Sequence, residues 1–177
     1  ITPSAVQAEG YFEGKTITYI IATDPGGGYD TYGRLIGKYL EKHLNAGNVV
    51  FRNLPGAGHI VGANTLAASE PDGLTIGTFN TGLIYAQVLQ REGVEFDLSK
   101  MGWIGKAAAD PRVVILGSDS GLKTYEDLKN ADGPVKFAAS GVGSASFTDT
   151  NLIAAALDLN IEIIPGYNGN EGEMAML

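Results

Sequence analysis

The sequence predicts an α/β fold built on mostly parallel sheets, and three observations carry that expectation. Stretches with strand character alternate with stretches of helical periodicity along the chain. Glycine-rich loops follow the strands and open the helices. Hydrophobic residues make up 44% of the 177 and charged residues only 18%, enough apolar side chains to bury sheets under helices. The same balance excludes a disordered chain, which is apolar-poor and charge-rich. The 25 glycines are roughly twice the usual share, without the period of three that a collagen helix needs.

Other classes fall on composition. The chain has no cysteine, which removes disulfide scaffolds, thiolate zinc sites and cysteine nucleophiles. No apolar run approaches the ~18 residues that cross a bilayer, so no direct membrane insertion is expected. A net charge of -8 argues against a nucleic-acid surface. It does not argue against one anion in one cleft, which answers to local donors.

The elements follow in order. Residues 1–14 read as a polar, aperiodic N-terminal arm. Val6-Gln7-Ala8 has the small residues of a signal-peptidase site at its outer positions; it either marks a removed leader or is chance. Thr16 to Ala22 is rich in β-branched residues and reads as a strand. Asp24-Pro25-Gly26-Gly27-Gly28 stops it. From Thr31 the period becomes helical, with Tyr32, Leu35, Ile36, Tyr39, Leu40 and Leu44 on one face. His43 lies late in that helix, where a cation suits the dipole. The unit recurs: strand Asn48 to Leu54, breaker 55–58, helix His59 to Ser69, turn 70–73. It recurs again as strand Leu74 to Phe79, loop 80–82 and helix Leu83 to Gln90.

A second block begins near Met101. Trp103 to Ala107 and Arg112 to Leu116 read as strands on either side of Asp110-Pro111. Thr124 to Asp127 has the form of a capping box opening a helix. Val135 to Ala139 is a strand that exits into Ser140 to Ser146. A helix through Leu159 follows, then strand Ile161 to Ile164 and a turn at 165–169. The chain reaches Leu177 inside a helical stretch. The expected division is an arm over 1–14, a first α/β lobe over 15–105 and part of a second over 106–177.

Right-handed crossovers place every strand-to-helix loop on one edge of a parallel sheet, and ligands bind beyond that edge. Loops 24–30, 55–59 and 80–82 therefore converge. In the first, Gly27, Gly28, Tyr29 and Asp30 open a helix whose backbone N–H groups suit a carboxylate or phosphate; alternatively the loop is a tight turn with Asp30 as N-cap. In the second, Gly56 to Gly62 comes near the dinucleotide fingerprint with one extra residue. It sits in the second unit rather than the first, and no acidic residue stands at the next strand's end. His59 could reach a ligand, but no nucleophile elbow accompanies it. No metal-ligand cluster is present. Ser140, Ser144 and Ser146 offer hydroxyl and backbone donors for an anion, or one of them caps the next helix. Tyr167 with Asn168 either closes a pocket or forms a surface turn. Arg112 could grip a carboxylate bidentately or stay solvated.

Taken together, five runs resemble one family. They are Pro25-Gly26-Gly27-Gly28-x-Asp30 with Arg34, Asn53-x-Pro55-Gly56-Ala57-Gly58, Pro71-Asp72-Gly73-x-Thr75, Ala139-Ser140-Gly141-x-Gly143-Ser144, and Ile164-Pro165-x-Tyr167-x-Gly169. In this order they resemble the solute-binding proteins of tripartite tricarboxylate transporters. The resemblance runs from about Lys15 to the end. It implies a type II periplasmic-binding-protein architecture, two lobes closing on a small carboxylate as a Venus flytrap does. It implies a periplasmic protein whose signal peptide has been removed. It implies membrane permease components as partners, no catalysis, no cofactor and no metal. The ligand-holding residues it implies are Gly27, Gly28, Tyr29, Asp30, Asn80, Thr81, Ser140, Ser144, Ser146, Phe147 and Tyr167. Family members run on the order of 100 residues further, about one small domain, which would complete the second lobe. The sequence departs from the family at His59, often glycine, at Phe147, often histidine, and in the extra Gly166. Two alternatives stand beside this reading: a dinucleotide-dependent enzyme using Gly56 to Gly62, and a ligand-sensing regulator sharing the binding fold.

Overall fold

The computed structural model describes residues 10–109, 111–167 and 171–176. Val6-Gln7-Ala8, Asp110, Asn168 and Gly169 lie outside the described residues.

Strand β1 (Thr16–Ile21) is central in a parallel three-stranded sheet, with β2 (Asn48–Asn53) on one side and β3 (Thr75–Thr78) on the other. The register pairs Tyr19 with both Phe51 and Ile76. Side chains alternate across β1. Ile17, Tyr19 and Ile21 join Val49 in one buried cluster, while Ile20 is buried on the opposite side. Helix α1 (Gly28–Leu44) covers the first face. Helices α2 (Ile60–Ala67) and α3 (Gly82–Val88) bury Ile60, Ala63, Leu83 and Ala86 with Phe96 and Leu98 in a second cluster.

The buried stripe of α1 differs from the expected one. Ile36, Leu40 and Leu44 pack on the sheet, but Tyr32, Leu35 and Tyr39 are exposed. Gly33 and Gly37 take their place. A Cβ at Gly37 would lie 2.5 Å from the Phe51 ring, and one at Gly33 3.0 Å from Ile21. The helix sits so close to the sheet that the contact line runs through glycine, which a search for apolar periodicity overlooks.

The end of the expected arm is docked. Phe12 packs on the first cluster, Glu13 bridges antiparallel to Ala46, and the Tyr11 hydroxyl donates to the Asp72 carbonyl at 2.6 Å.

In the second block, β4 (Val135–Ala139) and β5 (Ile161–Pro165) form a parallel pair, crossed over by α5 (Ala145–Leu157). Helix α4 (Tyr125–Lys129) opens on the expected capping box: the Thr124 hydroxyl accepts from the Asp127 N–H at 3.1 Å, and the Asp127 carboxylate accepts from the Thr124 N–H at 2.9 Å. A last turn, α6 (Glu171–Met174), follows.

Two expected strands are absent. Residues 103–107 and 112–116 form no ladder among the described residues. Ile104 is 80% exposed and Val113 72%. The run Val113-Val114-Ile115 is β-branched, but a strand exists only through its hydrogen-bonded neighbour, and no described segment pairs with either stretch.

Candidate functional site

Because every pairing in both sheets is parallel, the exits of β1, β2 and β3 share one edge, as expected. The loops there are in direct contact. Tyr29, in the first turn of α1, meets His59, at the start of α2, edge to face with ring centroids 5.0 Å apart. This contact sets the N-termini of α1 and α2 beside each other. Neither helix has a side-chain cap hydrogen bond; the Val61 N–H of α2 reaches the Gly56 carbonyl at 3.5 Å, and the partial positive ends of both helices lie at this edge.

The β4 exit closes against the same edge. A Cβ at Gly58 would run into the backbone of Gly143 and Ser144, 2.5 Å from the Gly143 carbonyl carbon. A Cβ at Gly82 would lie 2.5 Å from the Ala145 nitrogen, and one at Gly143 2.7 Å from the Ala57 oxygen. Three loops thus meet along a seam of glycines where backbone lies directly against backbone.

Asp30 is not the N-cap. Gly27 occupies that position, and Asp30 stands three residues on, buried. Its carboxylate accepts from the Gly26 N–H at 3.0 Å, from Arg34 Nε at 3.0 Å and from Asn53 Nδ2 at 2.9 Å. Asn53 also donates to the Thr23 carbonyl at 3.1 Å and accepts from Arg34. These hydrogen bonds, led by that from Arg34, hold the Asp30 carboxyl down at about 2. The carboxylate fastens the first loop to the end of β2; it is already committed. Asp30→Ala is expected to destabilise the fold by about 2 kcal/mol, because three part-buried hydrogen bonds lose their charged acceptor. Urea unfolding at pH 7 measures this, and no change would show that the loop is held otherwise.

The remaining expected residues are placed as follows. Gly28 and Thr81 are exposed and Gly27 half-buried. Asn80 is buried, and its Oδ1 accepts from the Gly82 N–H at 2.7 Å. Tyr29 is half-buried, and burial raises its phenol pKa, opposed by the charge of Arg112 and a hydrogen bond with Asn80. Ser144 is the N-cap of α5, its hydroxyl accepting from the Phe147 N–H at 3.1 Å. It also bonds the Ser146 hydroxyl at 2.9 Å, which accepts from the Ser140 N–H at 3.1 Å. The serines therefore brace the loop as well as cap the helix. Phe147 is half-buried beside them. The extra Gly166, at φ +113°, turns the β5 exit back so that its N–H donates to the Ser140 carbonyl and the Tyr167 N–H to that of Ala139. Arg112 pairs with Asp149 at 3.0 Å, a carboxylate of this chain.

Two features of the site go beyond the sequence expectations. His59 is 6% exposed, adopts φ +80°, and its buried Nδ1 has no partner among the described residues. Burial lowers its pKa to about 4. The Asp30–Arg34–Asn53 network is the other; the i, i+4 spacing of Asp30 and Arg34 was the available signal.

Residues 33–177 match the model of the tripartite tricarboxylate transporter family receptor. The chain belongs to this family. A UPF0065 protein from the TAR-I ttuE-ttuC′ intergenic region of Agrobacterium vitis is 28% identical over 174 residues, 96% of this chain and 49% of its own length. The chain spans about half the length of the curated relatives it matches. Among solved structures, a periplasmic transporter superposes with a TM-score of 0.71 at 22% identity, over 91% of this chain and 55% of that one. MatC from Rhodopseudomonas palustris, solved with bound malate, gives 0.64 at 19% identity, over 92% and 56%. These likenesses establish the periplasmic-binding-protein fold.

A receptor family binds without reacting, and its membership leaves the Gly56 to Gly62 loop no enzymatic role. The geometry agrees. Gly58 is covered by Gly143 and Ser144, and a Cβ at Gly62 would lie 2.5 Å from that of Ala22. Gly58 and Gly62 of this loop serve close packing of the chain's own backbone.

Proposed function

We propose that the chain belongs to a periplasmic receptor that captures a small carboxylate at the joined strand exits and hands it to the membrane permease components of a tripartite transporter. The observation that carries this reading is the pairing of two uncapped helix N-termini by the Tyr29–His59 contact, a ready site for a carboxylate. Malate in MatC is a ligand of that chemistry. Gly27, Gly28, Tyr29, Asn80 and Thr81 would face the ligand from 15–105, the first lobe, and Ser140, Ser144, Ser146, Phe147 and Tyr167 from 106–177, within the second. Asp30 would act by holding the first loop in place. No helix among the described residues is long and apolar enough to cross a membrane.

Thermal shift of the full chain against succinate, malate, citrate, adipate and benzoate tests the reading, with NAD and NADP as controls. One class of acid should raise the melting temperature. At 100 times its dissociation constant a ligand adds about 2.7 kcal/mol. A shift with a dinucleotide alone would contradict the proposal.

A further inference from the structure

Four buried polar side-chain atoms lack a hydrogen-bond partner among the described residues: Thr23 Oγ1, His59 Nδ1, Arg91 Nε and Thr148 Oγ1. Buried polar groups are nearly always paired, so each exception asks for an explanation. Three of the four stand where a strand gives way to a helix. Thr23 follows β1, His59 begins α2, and Thr148 lies in the first turns of α5.

His59 carries a second cost. Its backbone is left-handed at φ +80°, a region in which a bulky residue is uncommon. Glycine at this position would remove the strained backbone and the orphaned nitrogen together. Strain kept at one residue, with burial and with an unmet hydrogen bond, marks function sooner than stability. The ring is also well placed. It lies against Tyr29 at the α1 N-terminus, and the preceding residue, Gly58, touches the Ser144 loop. It stands where the first, second and fourth loops meet.

We propose that His59 is a specificity-determining residue: its Nδ1 forms a hydrogen bond to the bound acid. The inference rests on the carboxylate reading above. The neutral ring has one nitrogen that donates and one that accepts. It can therefore meet a carboxylate oxygen or a hydroxyl of the ligand, adding to the backbone donors without adding charge.

The test uses the full chain and whichever acid of the five-member panel raises its melting temperature most. Affinity by calorimetry should fall about 10-fold or more in His59→Gly and in His59→Ala, the worth of one hydrogen bond to a charged group. His59→Asn, which tolerates the left-handed backbone and keeps a polar group, should retain an intermediate affinity. His59→Gly should melt no lower than the parent. The 15N resonance of His59 Nδ1 should move on saturation with the acid. Equal affinities in Asn and Ala variants with a silent Nδ1 resonance would reduce His59 to packing and overturn the proposal. Unchanged affinity in all three variants would overturn it while leaving the carboxylate reading standing. A parent chain that binds none of the five acids would overturn both.

Discussion

Gly58→Ala is expected to destabilise the fold by about 3 kcal/mol or more and to part the loop after β2 from the loop after β4. Two costs add. The backbone at Gly58 is left-handed, at φ +64°, which costs an alanine about 1–2 kcal/mol. The new methyl would also meet the backbone of Gly143 and Ser144, and overpacking of that kind costs about 1–3 kcal/mol. Neither Gly143 nor Ser144 has a side chain that could swing aside at the contact, so the relief must come from separation of the loops. Urea unfolding measures the first effect. The second shows in amide resonances of residues 140–146, which should shift although the substitution lies more than 80 positions away in sequence. A variant as stable as the parent would mean that the seam does not join the two blocks in solution.

The second large effect is acid lability. The His59 imidazole has an ordinary pKa of 6.5 and a folded value of about 4. Between those values the unfolded chain binds the extra proton and the folded chain refuses it. Stability therefore rises with pH across this window, is fully present above pH 6.5, and is lost as the pH falls toward 4. The loss by pH 4 amounts to about 3 kcal/mol. Asp30 continues the trend. Its carboxyl moves from 3.8 to about 2 on folding, so its contribution is present above pH 4 and disappears as the pH falls through 2. Arg34 is half-exposed and solvent screens that pair, which leaves about 1–2 kcal/mol for Asp30. Unfolding free energies at pH 7, 5.5 and 4.5 should descend in the parent. The slope between pH 6.5 and 4 should flatten in His59→Gly. A flat parent profile across that window would show that the imidazole titrates in contact with water.

The framework was legible because parallel α/β units declare themselves locally. The β-branched run at Thr16–Ile21, the breaker at 24–28 and the apolar repeat beyond it each follow from one stretch of chain, and so does the Thr124 capping box. What escaped was set by neighbours distant in sequence. The α1 contact line runs through Gly33 and Gly37 because Ile21 and Phe51 stand opposite them, and no periodicity within the helix reveals that. Residues 103–107 and 112–116 have strand composition, yet strand formation depends on a partner that no local pattern supplies. The site was legible as a set of loops and less so as chemistry. The sequence pointed to Asp30 at a helix start but not to the Arg34 and Asn53 side chains that occupy it. It pointed to His59 beside a loop but not to its burial, which depends on a neighbour, Tyr29, 30 positions earlier.

A carboxylate bound where these strand exits meet is the core of the proposed function. A crystal structure of the full chain with the acid that gives the largest thermal shift tests it most directly. The carboxylate is expected within hydrogen-bond distance of the α1 and α2 N-termini, among residues 27–29, 58–60, 80–81 and 140–146. Density for the acid elsewhere would contradict it. One such place is the shallow groove of about 700 Å³ beside Lys38 and Lys42 at the far end of α1.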